Sequence, residues 1–278
     1  HAELEGLAQR YHTTLSDLGR GRSTVDLMED LARLEAYYLN DRDEASRLLE
    51  EALALPDLDA NTRGRLKLAL GDVQLFNGDI WEASLLYSQV DLEFKYDPLG
   101  HEARLRNAKV SFHAGDFLWA KSQLDILKAS TSKLIANDAM ELSLLISDHL
   151  GVDSNSVPLS LFAHADLLTF QRRFDEAIAV LDTLDKEFPQ DGISDDVLYQ
   201  RFRIARDRKQ FAEAAEFLRK VIEFYPLEIL LDNALFDLGR LYEDQLKDPE
   251  RAKVTYEKLL FDQPGSIFVP EARARYRR

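Results

Sequence analysis

Residues 249–265 read Pro249-Glu250-Arg251-Ala252-Lys253-Val254-Thr255-Tyr256-Glu257-Lys258-Leu259-Leu260-Phe261-Asp262-Gln263-Pro264-Gly265, and this stretch sets the pattern for the whole chain. Tyr256 and Leu259 follow Ala252 by four and seven residues, which puts all three on one face of a helix. Pro264 closes the segment, because the residue before a proline is pushed out of helical geometry. Five earlier stretches match it: Arg42-Asp43-Glu44-Ala45, Ile80-Trp81-Glu82-Ala83, Phe117-Leu118-Trp119-Ala120, Phe174-Asp175-Glu176-Ala177 and Phe211-Ala212-Glu213-Ala214. The alanines at 45, 83, 120, 177, 214 and 252 are separated by 38, 37, 57, 37 and 38 residues, a spacing too regular for chance. Four residues on come Leu49, Tyr87, Leu124, Leu181, Leu218 and Tyr256; seven on come Ala52, Val90, Leu127, Leu184, Val221 and Leu259. The alanine is small where a neighbouring helix must approach closely.

Upstream of each alanine lies a second amphipathic segment joined by a short turn. Asn77-Gly78-Asp79 and Ala114-Gly115-Asp116 show that turn best: glycine takes the left-handed conformation and aspartate caps the next helix. Pro189, Pro226 and Pro264 end three of the second helices. No stretch alternates with period two long enough to make a strand, so the expected class is all-α.

The pattern resembles the tetratricopeptide repeat family. Leu70-Gly71 and Leu238-Gly239, with Tyr242 after the second, sit at the family's first-helix signature, and the alanine series with its closing proline sits at the second. The resemblance spans residues 23 to 278. It is strong at Leu235–Pro264 and Leu161–Pro189, and weaker at Asp26–Pro56, where Arg33 and Leu34 replace the leucine–glycine pair. The spacing of 37 or 38 exceeds the family's usual period of about 34. The phrases Glu223-Phe224-Tyr225-Pro226 and Phe261-Asp262-Gln263-Pro264-Gly265-Ser266 look like bacterial envelope-associated arrays. The resemblance implies a right-handed α-solenoid of about six helix-turn-helix repeats, with one extra helix near the middle.

That extra helix comes from the long interval between Ala120 and Ala177, which fits a helix over Lys133–Leu150 followed by the polar loop 151–158. A longer surface connection is the alternative. The expected organisation is a leftover helix of a preceding repeat in 1–22, an N-terminal sub-array of three repeats in 23–132, the insertion in 133–158, and a C-terminal sub-array in 159–278. A kink or change of superhelical direction is expected at the insertion. The chain opens at His1 with no leader-like sequence, and Glu271–Arg278 reads as a helix cut short or a closing cap.

Composition narrows the function classes. Lys and Arg total 35 against 50 Asp and Glu, a formal charge of −15 that repels nucleic-acid phosphates and anionic membranes. It is equally compatible with adaptation to high salt. No apolar run is long enough to cross a bilayer, and the absence of cysteine removes disulfides, thiol catalysis and cysteine-held metals. Histidines 1, 12, 101, 113, 149 and 164 show no zinc spacing. Asp57-Leu58-Asp59-Ala60-Asn61 begins like a calcium loop, but Thr62 stands where glycine is needed and Leu68 where a bidentate glutamate is needed; it reads as a helix cap. Phosphate loops, nucleophile elbows and facing carboxylate pairs are missing. Trp81 and Trp119 read as structural bulk at the joints between repeats. The expectation is a protein that is not an enzyme and binds no cofactor or metal.

Family geometry implies that first helices line a concave groove. Its lining would include Tyr37, Tyr38, Phe76, Lys109, Phe112, His113, Phe162, Phe170, Tyr199, Arg203, Arg206, Phe236 and Arg240, with Leu34, Arg65, Asp72 and Asp166 nearby. Aromatic rings give large contact area at low entropic cost; the competing reading is that most of them pack between helices. Arg201-Phe202-Arg203-Ile204-Ala205-Arg206-Asp207-Arg208-Lys209 is the most basic segment, and Arg203 with Arg206 share a face that could grip a carboxylate bidentately. Pairing with Asp207 or Glu213 is the alternative. The lysine–asparagine clamp by which some members hold chaperone tails is not supplied by Leu105 and Lys109 with Phe162 and Asp166.

The leading expectation is therefore a non-enzymatic scaffold that binds a protein or peptide partner, with neither nucleic acid nor direct membrane insertion. It would be monomeric, with end-to-end stacking as the other possibility. Alternatives are a soluble adaptor of a bacterial envelope assembly, in the periplasm or envelope, or the targeting array of a larger enzyme or sensor.

Overall fold

The structure, a computed structural model, describes residues 2–150, 156–189 and 192–277, and every regular element among them is helical. Helix α1 (Ala2–Leu18) precedes three pairs: α2 (Val25–Leu34) with α3 (Arg42–Leu53), α4 (Ala60–Asn77) with α5 (Ile80–Glu93), and α6 (Pro98–His113) with α7 (Phe117–Leu127). Then follow α8 (Lys133–His149) and three more pairs: α9 (Val157–Phe170) with α10 (Phe174–Glu187), α11 (Ser194–Asp207) with α12 (Phe211–Phe224), and α13 (Leu231–Arg240) with α14 (Pro249–Asp262). A last helix, α15 (Val269–Tyr276), packs on α14. The chain divides into two compact units, 1–143 and 144–278, with the boundary inside α8, the helix formed by the extra residues between Ala120 and Ala177. Of the expected polar loop, residues 151–155 lie outside the described residues.

Within each unit every second helix packs against the first helix of its own pair and that of the next, as in a tetratricopeptide-like solenoid. The periodic face explains this packing. All six alanines, and the residues four and seven positions on, are at most 3 % exposed. Helix α8 buries Ala139, Ser143 and Ile146, again a single face. In unit 1, α1 covers α2 through Ala8 and Leu15, and His12 lies 3.4 Å from the buried Glu35.

One turn geometry recurs in all six pairs. The residue five before each alanine is left-handed: Asn40 (φ 63°), Gly78 (97°), Gly115 (81°), Arg172 (59°), Lys209 (62°) and Lys247 (55°). After Gly78, the Asp79 amide reaches back to the Gln74 carbonyl at 2.9 Å, and the Gly78 amide to Leu75 at 3.1 Å, which satisfies the last carbonyls of α4. The same pair of bonds closes α6, α9 and α11. At the next position Asp41, Asp116 and Asp248 accept a hydrogen bond from the amide three residues on. Asp59 does the same for α4 at 2.9 Å from the Thr62 amide, so the calcium-like sequence is a helix cap.

Two first helices widen into a π turn before they end, α2 through Glu35–Leu39 and α13 through Leu241–Gln245. Each π turn absorbs one extra residue. Gly239 accordingly precedes its alanine by thirteen residues, whereas Gly71 precedes Ala83 by twelve. Applied to the first pair, the same shift corrects the register read from sequence. The counterpart of Leu238-Gly239 is Leu31-Ala32, both 0 % exposed, rather than Arg33-Leu34.

Candidate functional site

In unit 1 the first helices α2, α4 and α6 touch one another in succession and share a face crossed by ion pairs. Arg65 of α4 meets Asp26 of α2 at 2.5 Å and Glu29 at 3.5 Å, while Arg33 meets Glu29 at 2.8 Å. Further along, Arg106 of α6 lies 3.1 Å from Asp72 of α4 and 2.8 Å from Glu102. The Tyr87 hydroxyl donates to Asp72 at 2.7 Å. Burial pushes the Asp72 carboxyl above its ordinary range, against the pull of the Arg106 guanidinium and the Tyr87 hydrogen bond. Burial and the nearby Asp72 likewise push the Tyr37 phenol up.

The aromatic residues expected here do different jobs. Phe76 is 4 % exposed, with Tyr37 edge-on at 5.1 Å and the Arg42 guanidinium 4.9 Å over its ring. Phe112 is interior, 5.6 Å from Phe117, and His113 is half-buried beside it. Tyr38 and Lys109 are exposed. Apart from Arg65, the expected residues sit toward the C-terminal ends of the first helices, whereas two open clefts lie at the N-terminal ends. One, of about 420 Å³, is lined by Arg22, Asp26, Asp59 and Arg65 among others. The second, of about 810 Å³, combines Leu99, Leu105, Leu134 and Ile135 with the carboxylates of Asp97, Glu102 and Asp138.

In unit 2 the first-helix face is organised by arginines resting on rings. The Arg203 guanidinium lies 5.1 Å over Tyr199, that of Arg206 5.5 Å over Phe202, and that of Arg240 5.8 Å over Phe236. The rings themselves are interior: Tyr199 is 6 % exposed, Phe202 2 % and Phe236 5 %. Tyr199 donates its hydroxyl to Asp237 at 2.6 Å, and Phe236 stacks on Phe268 at 4.6 Å. Phe162 is interior as well, whereas Phe170 is partly exposed. Arg203 lies 3.8 Å from Asp166 and 3.4 Å from the Gln200 side chain, and Arg206 bonds its neighbour Asp207 at 3.0 Å. The basic segment therefore divides. Arg201 turns away to Asp182 and Asp185 of α10 at 2.7 and 2.8 Å, and Arg208 pairs with Asp175, while Arg203 and Arg206 stay on the first-helix face, nearly half exposed.

The placement of the tryptophans corrects the sequence reading. Trp81 is 74 % exposed and Trp119 57 %, so neither fills a joint between repeats. Their positions at the start of α5 and α7 point outward, and local sequence alone does not distinguish an outward from an inward ring.

Among the described residues, no three His, Asp or Glu side chains are grouped to hold a metal ion, and no helix is long and apolar enough to cross a membrane. The family model described as tetratricopeptide repeat matches residues 233–266, the α13–α14 pair. Among solved structures the chain is similar to a tetratricopeptide repeat protein from Parabacteroides merdae ATCC 43184, at 16 % identity and a TM-score of 0.41, covering 100 % of this chain and 93 % of that one. No curated protein sequence matches. The matched α13–α14 pair shares its buried alanine face and its left-handed turn with the five pairs before it, so each unit is built of tetratricopeptide-like helix pairs.

Proposed function

We propose that the chain is a non-enzymatic scaffold that recruits a protein partner, and that unit 2 reads an acidic motif on that partner. The tetratricopeptide fold is a protein–protein interaction scaffold, and its function lies in the side chains it displays. The observation that carries the acidic-motif reading is the set Arg203, Arg206 and Arg240, each stacked on an interior ring and exposed at its tip. Stacking holds a guanidinium flat and reduces the rotamer freedom lost when it takes up a carboxylate. Two donors from each fork then fit a carboxylate side by side. The buried rings act as supports for the arginines, and the contact itself is made by charge.

Fluorescence anisotropy with a labelled Asp/Glu-rich peptide, compared with its Asn/Gln counterpart, tests this. Binding should require the carboxylates, weaken with salt, and be lost in Arg203→Glu/Arg206→Glu. Equal binding of both peptides, or an unaffected double variant, would remove the arginine face from the proposal and leave the scaffold.

A further inference from the structure

The outer helices of the pairs expose mostly charged side chains; α12 adds Phe224 and α14 adds Val254 and Phe261, while α5 and α7 expose three large apolar residues each. Two residues before the repeat alanine stand Asp43 in α3, Asp175 in α10, Ala212 in α12 and Glu250 in α14, but the large apolar Trp81 in α5 and Leu118 in α7. Six residues after it stand Glu51, Gln89, Thr183, Lys220 and Lys258 in α3, α5, α10, α12 and α14, but Ile126 in α7. Trp81, Leu85 and Leu92 of α5 are 74, 55 and 78 % exposed, and Leu118, Trp119 and Ile126 of α7 are 75, 57 and 59 % exposed. In helical projection the α5 residues share one stripe, and Trp119 and Ile126 lie on the flank of α7 turned toward α5. Both helices pack on α6, so the six side chains stand on two consecutive outer helices as the two halves of one apolar face.

A soluble monomer ordinarily leaves roughly 300–600 Å² in its largest apolar patch. Two tryptophans that offer about 150–250 Å² each on burial, joined by four aliphatic side chains more than half exposed, bring this one to the roughly 800 Å² per partner of a standard interface.

The edges of the patch differ in charge, two acids on one side and two lysines around a single aspartate on the other. On the α5 side stand Glu82 and Glu93, the latter 3.9 Å from Lys67 of the preceding helix α4. On the α7 side stand Lys121 and Lys128, both bonded to Asp125, which also accepts from Ser143 of the following helix α8. A two-fold axis running along the helices between α5 and α7 would lay the acidic edge of one copy on the basic edge of the other. Glu82 and Lys121 stand one residue before and one after their alanines, and Glu93 and Lys128 ten and eight after. Each acid then falls within about 3 Å, along the axis, of a lysine across the interface. A surface that is apolar at its centre and complementary to itself at its rim suits isologous pairing.

We infer that the α5–α7 outer face is a self-association surface and that its occupant is a second copy of this chain. The chain's two tryptophans both lie in the patch, so its intrinsic indole emission reports on this face alone.

Sedimentation velocity and tryptophan emission on the full chain test the inference. The expected result is a species of twice 31.8 kDa with emission that shifts to the blue on concentration. Trp81→Glu/Leu118→Glu should raise the dissociation constant about thirtyfold or more with an unchanged circular dichroism spectrum. Glu82→Lys/Glu93→Lys and Lys121→Glu/Lys128→Glu should each dissociate alone and form a mixed dimer when combined. A 31.8 kDa species at all concentrations would overturn the inference. So would a dimer that Trp81→Glu/Leu118→Glu leaves intact, or monomeric protein whose emission shifts only on phosphatidylcholine vesicles.

Discussion

Gly239 lies directly under the ring of Tyr256: a Cβ on the glycine would stand 2.4 Å from Tyr256 Cε1. Gly71 and Tyr87 repeat the relationship at 2.5 Å. Both rings are pinned at the far end, Tyr87 by its hydroxyl bond to Asp72 at 2.7 Å and Tyr256 by its bond to Glu243 at 2.9 Å. The leucine–glycine signature is thus the counterpart of tyrosine four residues past the alanine. Where leucine takes that place, the first helix carries Ala32, Ala108 and Ala165 opposite Leu49, Leu124 and Leu181, and Phe202 opposite Leu218.

Gly239→Ala should destabilise the protein by about 1–3 kcal/mol, because overpacking outweighs the gain of roughly 0.5–1 kcal/mol that alanine brings to a helix interior. Adding Tyr256→Leu should recover much of the loss, since it recreates the alanine–leucine combination of three other pairs. Urea denaturation of the single and double variants measures the coupling; additive effects would contradict it.

The left-handed turn position predicts gains as well as losses. Arg172, Lys209 and Lys247 hold φ between 55° and 62° with a Cβ present. Replacing each by glycine should stabilise by about 0.5–1 kcal/mol, the left-handed penalty of roughly 1–2 kcal/mol being offset in part by glycine's freedom in the unfolded chain. Gln210 is the N-cap of α12 and makes no side-chain cap bond. Gln210→Asp should add about 1 kcal/mol. Thermal melts check both.

Arg106→Met should cost about 1–3 kcal/mol by leaving the Asp72 carboxylate without its guanidinium. The loss should depend on pH. Burial raises the Asp72 pKa above its unfolded value, so the folded state holds the proton more tightly. Stability from this group is present below the unfolded value and falls as pH rises through the folded one. The variant's deficit should therefore be larger at neutral pH than in mild acid, and denaturant titrations at the two conditions would show it.

Asp125 behaves in the opposite sense. Lys128, Lys121 and the Ser143 hydroxyl lower its pKa to about 2. Its contribution is present above the unfolded carboxylate value near 4 and is lost as pH falls toward 2. The group is 43 % exposed, so screening limits the effect to below about 1 kcal/mol. Asp125→Asn should flatten that part of the acid-unfolding curve while lowering stability slightly at pH 7.

The amino-acid sequence by itself determined the helix pairs, their spacing and the face each second helix buries. Ala252, Tyr256 and Leu259 and their counterparts are interior because four- and seven-residue offsets fix an angle around a helix whatever surrounds it. The glycines at 78 and 115 disclosed the left-handed turn; Arg172, Lys209 and Lys247 adopt it without any local signal, because the backbone bonds around the turn impose it. Only the tertiary structure decided what lies over each face. Phe112, Phe162 and Phe236 are covered and Trp81 and Trp119 are not, although all five are aromatic residues on amphipathic helices. Burial depends on whether a neighbouring helix passes over the residue, and helical periodicity carries no record of the neighbour. The π turns in α2 and α13 shift the register by one residue in the same silent way. The division of the arginines, Arg201 to the preceding pair and Arg203 and Arg206 to the first-helix face, follows from which carboxylates stand within reach across the stack.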